Sequence, residues 1–504
     1  MKRNGMLCTA LLLATLAGTT GALAGGEIKI GLRDDAGSLD PATNATFVGR
    51  VSLQSICDKL VDIDVNGKVQ PMLATNWEWS ADAKELTLRL RENVKFQDGT
   101  DFNADAVKFN LDRYLTMKGS RRRAELAVIK SVEVVDPMTV KLTLSQPSVS
   151  LLTLFTDRAG MIVSPTAYKA TTPEEFAKKP VCAGPYKLVE NKPQDRIVLE
   201  KFPGHWRADQ YSFDKVTFLA LTDTNVRLLN LKSGDLDLAE NISPTDVDSV
   251  NSDPNLKTAV GHQPAYEQVM FNLDGPDANP ILAKSAAARQ AVSLAIDRET
   301  LNQVVYGGHF TTGNQAFAPG DFWYDKDYPV VPGDAEAAKK KLTEDNIGDF
   351  SFDLMITPAP EEQAVAELMQ SMLAQAGITM NILPTEYVTL RDKTAKGQFQ
   401  AHIIGSSGRV DPDLNISQDF ECGQPNNVGK YCNPEIDKLF KEGRSIVDPD
   451  QRKKIYDQAI SIVMKDAPAI YIYNPAPTYA MKAAIEGFQA YPDGIIRLEG
   501  VAMK

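Results

Sequence analysis

Apolar residues recur along this chain in two periods, and the two alternate. A period of two marks half-buried strands: in residues 85–91 (ELTLRLR), Leu86, Leu88 and Leu90 point one way and the polar residues between them the other. The same alternation predicts strands at 27–31 (EIKIG), at VEVVD and TVKLTL on either side of a Pro137 turn, and in YKLVE and RIVLEKF, a hairpin-like pair about 191–195. Spacings of three and four mark helices. One starts after Asn103, a natural N-cap, with Val107, Leu111, Tyr114 and Leu115 on its apolar face. Another covers 361–376, with Val365, Leu368, Met369, Met372 and Leu373 on one side and Gly377 as its stop. ITMNILP is the strand that follows it. Residues 289–305 read as helix, which Asp297 splits by capping a second one. Residues 450–465 give a further amphipathic helix, and AIYIYN (469–474) is an apolar run suited to a buried strand. No internal repeat interrupts this mixture, which places the chain among α/β proteins.

Length adds domain number: 504 residues correspond to about three domains, or two large ones. A formal charge of −12 argues against nucleic acid as a partner, since such proteins carry a basic face. Four His and five Cys leave little material for metal clusters.

The first residues change the picture most. Lys2 and Arg3 precede an apolar run from Met6 to Ala17, too short to span a bilayer, and Ala22-Leu23-Ala24 offers a small-x-small cleavage site. This predicts a signal peptide over 1–24, cleaved after Ala24, in preference to a retained anchor. Cys8 lies inside the apolar run, not after it, which argues against a lipid-anchored cysteine. Cleavage removes two cations and no acid, so the formal charge moves from −12 to −14. The expected product is a soluble exported protein, periplasmic in a double-membrane bacterium. It retains Cys57, Cys182, Cys422 and Cys432. An even number in an oxidising compartment favours two disulfides, with three possible connectivities. The preferred pairs are Cys422–Cys432, closing the loop CGQPNNVGKYC, and Cys57–Cys182, closing a long excursion.

An exported hydrolase would carry a recognisable catalytic signature. Neither GxSxG nor HExxH occurs, and the SxxK at 212–215 has no SDN or KTG beside it. His205, His262, His309 and His402 form no i, i+4 pair. The chain is therefore read as a non-enzyme without catalytic residues, cofactor or resident metal.

Residues 69–113 (VQPMLATNWEWSADAKELTLRLRENVKFQDGTDFNADAVKFNLDR) resemble the signature block of the bacterial extracellular solute-binding proteins of family 5, the dipeptide-, oligopeptide-, glutathione- and nickel-binding proteins of ABC importers. GLRDDAGSLDPA, CAGPYKLVE, FPGHWR, LLNLKSGDLDLAE, VMFNLD, ARQAVSLAIDRETLNQVVYGG, GQFQAHIIGSSGRVDPD and YCNPEIDKLFKEGR match in order across nearly the whole chain. The resemblance implies a two-lobed periplasmic-binding-protein clamp of class II type with an additional inserted α+β domain. Carried over, domain I comprises 25–57, 180–270 and 475–504, domain II is an insertion at 58–179, and domain III is 271–474. Cys57 and Cys182 then bracket the insertion. The implied partners are a small-molecule or peptide ligand and an inner-membrane ABC permease, with the carrier a monomer.

The resemblance also points to a ligand site. In peptide-binding relatives, the segment matching 405–420 (GSSGRVDPDLNISQDF) lines the cleft, and an Asp after its Gly pairs with the ligand's ammonium group. Here Arg409 follows Gly408. Three readings stay open: Asp411 takes the ammonium, Arg409 takes an anionic group of the ligand, or Arg409 pairs locally with Asp411 or Asp413. Ser406 and Ser407 belong to the same wall. Phe47, Tyr266, Phe317 and Trp323 are further candidates, as aromatic surfaces against ligand side chains, and Asn272 is read as a structural hydrogen bonder. Oxygen side chains alternate from Asp411 to Asp419 as in an EF-hand, but Ile416 and Cys422 stand where Gly and Glu are needed. Trp77 and Trp79 share one strand face and are assigned to core packing, not to a sugar platform.

Overall fold

A computed structural model describes residues 26–504, so the signal peptide expected at 1–24 lies outside the described residues. Three principal sheets organise the chain, and each takes its register from the hydrophobic alternation.

The first has seven strands. Glu27–Leu32 lies within it, parallel to Lys215–Ala220 on one side and Leu238–Glu240 on the other. Arg196–Lys201 and Tyr186–Lys192 extend it antiparallel beyond Lys215–Ala220, and Thr478–Lys482 and Leu256–Val260 extend it beyond Leu238–Glu240. The second sheet has five strands in the order Ile378–Pro384, Phe350–Ile356, Ala401–Ser406, Tyr266–Phe271, Ala469–Tyr473. Its first three are parallel, and Tyr266–Phe271 runs against both neighbours. All five residues of Ala469–Tyr473 are buried, as an uninterrupted apolar run requires. The third sheet is antiparallel, with Ala74–Trp79, Glu85–Leu90, Thr139–Leu144 and Ile129–Asp136 in that order. Leu86, Leu88 and Leu90 enter its core, and half-buried Trp77 and Trp79 pack on the same cluster.

The capping predictions hold at atomic level. The Asn103 side chain accepts the Ala106 N–H at 3.0 Å at the start of the helix Ala104–Thr116. Asp297 accepts that of Thr300 at 3.0 Å and separates Ala286–Ala295 from Arg298–Tyr306. Both preferred disulfides are present. Cys57–Cys182 spans 125 residues with its Cα atoms 4.9 Å apart, and Cys422–Cys432 spans 10 with 4.7 Å. Such closures typically contribute about 2–4 kcal/mol each.

The chain crosses between the first and second sheets twice, at 261–265 and 474–477. It joins the second sheet at Tyr266, upstream of the crossover expected near 270. The two crossovers are tied together: the Gly261 N–H donates to the Pro477 carbonyl at 2.8 Å, and Asn474 Nδ2 donates to the Ala265 carbonyl at 2.9 Å. Elsewhere the inserted region touches the second-sheet unit directly. The Val149 N–H donates to the Arg444 carbonyl at 3.0 Å, and Ser150 Oγ lies 3.2 Å from Asp413 Oδ2.

Candidate ligand-binding cleft

A cavity of about 370 Å³ lies against both crossovers, between the first and second sheets. Its walls are built from strand ends. Arg33 follows Glu27–Leu32, Glu240 closes Leu238–Glu240, and Ser406 closes Ala401–Ser406. Binding sites of α/β proteins gather at such carboxyl ends, where loops are free to vary above a fixed sheet. Phe47, the first residue of the helix Phe47–Ile56, forms another wall, with the Arg33 guanidinium 4.2 Å from its ring centroid. Phe310 stacks on Tyr306 at 4.3 Å between centroids and adds an aromatic surface. Gly405, Ser406 and Ser407 also border a second cavity of about 350 Å³, lined by Glu362, Tyr387 and Arg391.

Charge is unevenly satisfied around the first cavity. Glu240 Oε1 accepts the Arg33 N–H at 2.8 Å and lies 4.0 Å from its guanidinium. Burial raises the Glu240 carboxyl even so. Glu267, the second residue of Tyr266–Phe271, takes part in no side-chain hydrogen bond or ion pair among the described residues. Its carboxylate lies over Gly405, the residue opposite it in the ladder; a Cβ there would sit 2.1 Å from Glu267 Oε1. Burial, with Glu362 nearby, pushes the Glu267 carboxyl up to about 8.

Behind Phe47 the balance reverses. Arg50, whose guanidinium is 5.5 Å from the Phe47 ring, pairs with Asp157 at 3.1 Å. Asp157 also accepts the Arg158 backbone N–H at 2.7 Å and faces Arg409 at 3.7 Å. Arg122 joins through Glu125 at 2.8 Å. Four guanidiniums thus gather about two carboxylates, and Nε of both Arg122 and Arg158 has no hydrogen-bond partner. Burial would raise Asp157, but Arg50, Arg158 and Arg409 outweigh it and hold the carboxyl well below the usual range.

The expected site residues divide. Phe47, Ser406 and Ser407 line the cavity. Gly408 has φ +64° and passes the other crossover so closely that a Cβ would lie 1.8 Å from the Pro264 carbonyl oxygen, so only glycine fits. Arg409 is fixed by reciprocal 2.6 Å hydrogen bonds between its backbone and the Asn415 amide, and by its own guanidinium on the Gly408 carbonyl at 2.8 Å. It reaches across to Asp157 of the inserted region and does not pair with Asp411 or Asp413. Asp411 is taken by Arg452, bidentate at 2.6 and 2.8 Å, and Asp413 by Arg444 at 2.8 Å. Neither carboxylate is free for an ammonium group or a calcium ion.

Two of the aromatic candidates, Tyr266 and Phe317, are core residues, and half-buried Trp323 packs against the same core. Tyr266 is 1% exposed and donates its hydroxyl to Asp419 at 2.8 Å. Phe317 is buried among apolar residues. Trp323 packs edge-on against Tyr456 with Arg452 over its ring. Asn272 is the structural hydrogen bonder expected, donating to the Gly397 and Phe399 carbonyls at 2.9 and 2.7 Å. Arg33, Glu240, Glu267 and Phe310 were not anticipated, and the signal that marks the first two is a charged residue at a strand's carboxyl end.

Comparison with known proteins agrees with this architecture. Residues 68–427 match the family described as bacterial extracellular solute-binding proteins, family 5 Middle. The chain belongs to that family, the solute-binding class to which clamp and cleft point. Among curated proteins it is similar to the glutathione-binding protein GsiB of Salmonella typhi, 28% identical over 499 residues covering 96% of each chain. Among solved structures it superposes on the ABC transporter substrate-binding protein CtaP of Listeria monocytogenes with a TM-score of 0.85, at 23% identity over 95% of this chain and 99% of that one. It is also similar to AgaA of A. tumefaciens R10, solved with agropinic acid, with a TM-score of 0.76 at 27% identity and the same coverage.

Proposed function

We propose that this protein is the periplasmic carrier of an ABC importer, capturing short peptides or similar zwitterionic small molecules and delivering them to an inner-membrane permease. It is exported with cleavage after Ala24, acts as a monomer, and makes or breaks no bond in its ligand. Among the described residues no helix is long and apolar enough to cross a membrane. In this reading the first sheet (25–57, 180–265, 475–504), the insertion (58–179) and the second-sheet unit (266–474) are the three domains, and the crossovers are the hinge.

One observation carries the reading. The cavity at the crossovers takes its walls from both sheets and has an unpaired acid, Glu267, and a cation, Arg33, on its lining, with a cation-rich cluster beyond Phe47. A zwitterion fits that polarity, and main-chain hydrogen bonds at the strand end Ser406–Ser407 accept varied side chains. Arg409 and Arg50 are assigned to the ligand's anionic end. Similarity to glutathione-binding GsiB supports a peptide. Similarity to AgaA, solved with agropinic acid, favours an opine-like amino-acid conjugate as the second reading.

A thermal-shift screen with di- to pentapeptides, reduced glutathione, opines and nickel–histidine chelates tests both. A true ligand at 100 times its Kd stabilises the protein by about 2.7 kcal/mol. Native mass spectrometry of protein purified without refolding would reveal a retained ligand directly. Turnover of any of these compounds contradicts the carrier role.

A further inference from the structure

We propose that Glu267 is the anchor for the ligand's ammonium group, replacing the acid that relatives carry where this chain has Arg409. The assignment rests on the carrier reading above and names the residue that selects a free amine.

Three observations converge on it. Of the charged groups lining the first cavity, Glu240 accepts the Arg33 backbone N–H and lies 4.0 Å from its guanidinium, whereas Glu267 has no partner among the described residues. A carboxylate partly withdrawn from water without a cation is costly, and a bound ammonium removes that cost. Room for the carboxylate is made by Gly405, since any side chain there would displace it. The surroundings also suit a cation. Phe310 stacks on Tyr306 and lies 5.6 Å from Tyr473; burial raises both phenols, and the nearby Glu267 adds to it. Aromatic faces beside a carboxylate hold an alkylammonium by cation–π attraction as well as charge. Asp411, the other acid considered for this role, is locked to Arg452.

Because its carboxyl is raised, Glu267 is largely protonated at neutral pH in the empty protein and must release that proton when an ammonium binds. The groups facing it are Glu362 on the helix Pro360–Gln375, the phenols of Tyr306 and Tyr473, and the Arg33–Glu240 pair across the cavity. Arg33 is the cation among these groups, and it lies over the Phe47 ring and 4.0 Å from Glu240.

Isothermal titration at pH 7 with dialanine, trialanine and reduced glutathione, each beside its N-acetylated form, is the test. Wild-type protein should bind the free amine at least about tenfold more tightly than the acetylated form, the range of a charge-assisted hydrogen bond. Its binding heat should vary with the ionisation enthalpy of the buffer, because a proton leaves. In Glu267→Gln the preference should collapse towards unity and the proton release should vanish, while the acetylated probes bind as before. Glu267→Asp, which keeps the charge and shortens the reach, should retain part of the preference. A wild-type protein indifferent to acetylation, or a Glu267→Gln protein that keeps the preference, overturns the assignment alone. A wild-type protein that binds none of the peptides overturns the peptide reading, and this assignment with it.

Discussion

Asp411 and Glu267 are two carboxylates of the same second-sheet unit, and they have opposite fates. Asp411 is 5% exposed and clasped bidentately by Arg452, whose charge burial opposes and Asp411 more than restores. Glu267 lies over a glycine at the cavity wall with no partner. The first acid is part of the scaffold. The second is an incomplete contact, and an incomplete contact at a cavity is where a ligand has something to gain. Proximity to the segment that relatives use for binding does not decide the matter; the state of pairing does.

The largest expected effect tests the paired acid. Asp411→Ala leaves the Arg452 guanidinium buried without its counter-ion and should cost about 3–5 kcal/mol in urea denaturation, with the Cys422–Cys432 disulfide intact. A loss below 1 kcal/mol, or about that, would dissolve the contrast.

Glu267 should respond in the opposite direction. Its carboxyl is raised when folded, so between its unfolded value and about 8 the native state binds more protons than the unfolded state. Its contribution therefore falls as pH rises through that window. Glu267→Gln should stabilise the empty protein at pH 8 by about 1–3 kcal/mol, with the gain fading towards pH 4.5. Melting curves across that range check it, and a destabilised variant at pH 8 would mean the carboxylate has a partner after all.

Arg409 gives the smallest change in stability. Its side chain is 32% exposed and 3.7 Å from Asp157. Arg409→Ala should cost under about 1 kcal/mol. It should nonetheless weaken reduced glutathione about tenfold relative to its carboxyl-amidated form, and equal losses for the two would return Arg409 to a purely structural role.

Much of the fold was legible because it is written locally. Asn103 and Asp297 cap helices wherever they precede an apolar face, and Leu86, Leu88 and Leu90 alternate whatever lies beyond them. The cleft was legible in part. Phe47, Ser406 and Ser407 are there, yet Tyr266 is core and its neighbour Glu267 is wall. Successive residues of a strand face opposite sides, so the aromatic and the acid beside it have opposite surroundings, and an aromatic surface was the only signal read on that strand. Arg33 and Glu240 meet through a pairing within the first sheet between residues more than two hundred positions apart, Ile30 with Leu238, and Glu267 reaches the same cavity from the second sheet. The same holds for Asp157, which reaches Arg409 from the inserted region. No local pattern encodes such encounters.

The paired crossovers carry a mechanical consequence. A single linker would let the two sheet units swivel and twist freely. Two linkers fastened side by side, Gly261 to Pro477 and Asn474 to Ala265, act as two knuckles on one pin. Pro475 and Pro477 stiffen one knuckle by fixing its backbone, and Pro264 stiffens the other. In the carrier reading, such a pair would suppress torsion and leave bending, so the jaws would travel along one arc. Because the cavity lies against the pin, a ligand held there would sit at the fulcrum, where a small displacement becomes a large swing at the rim.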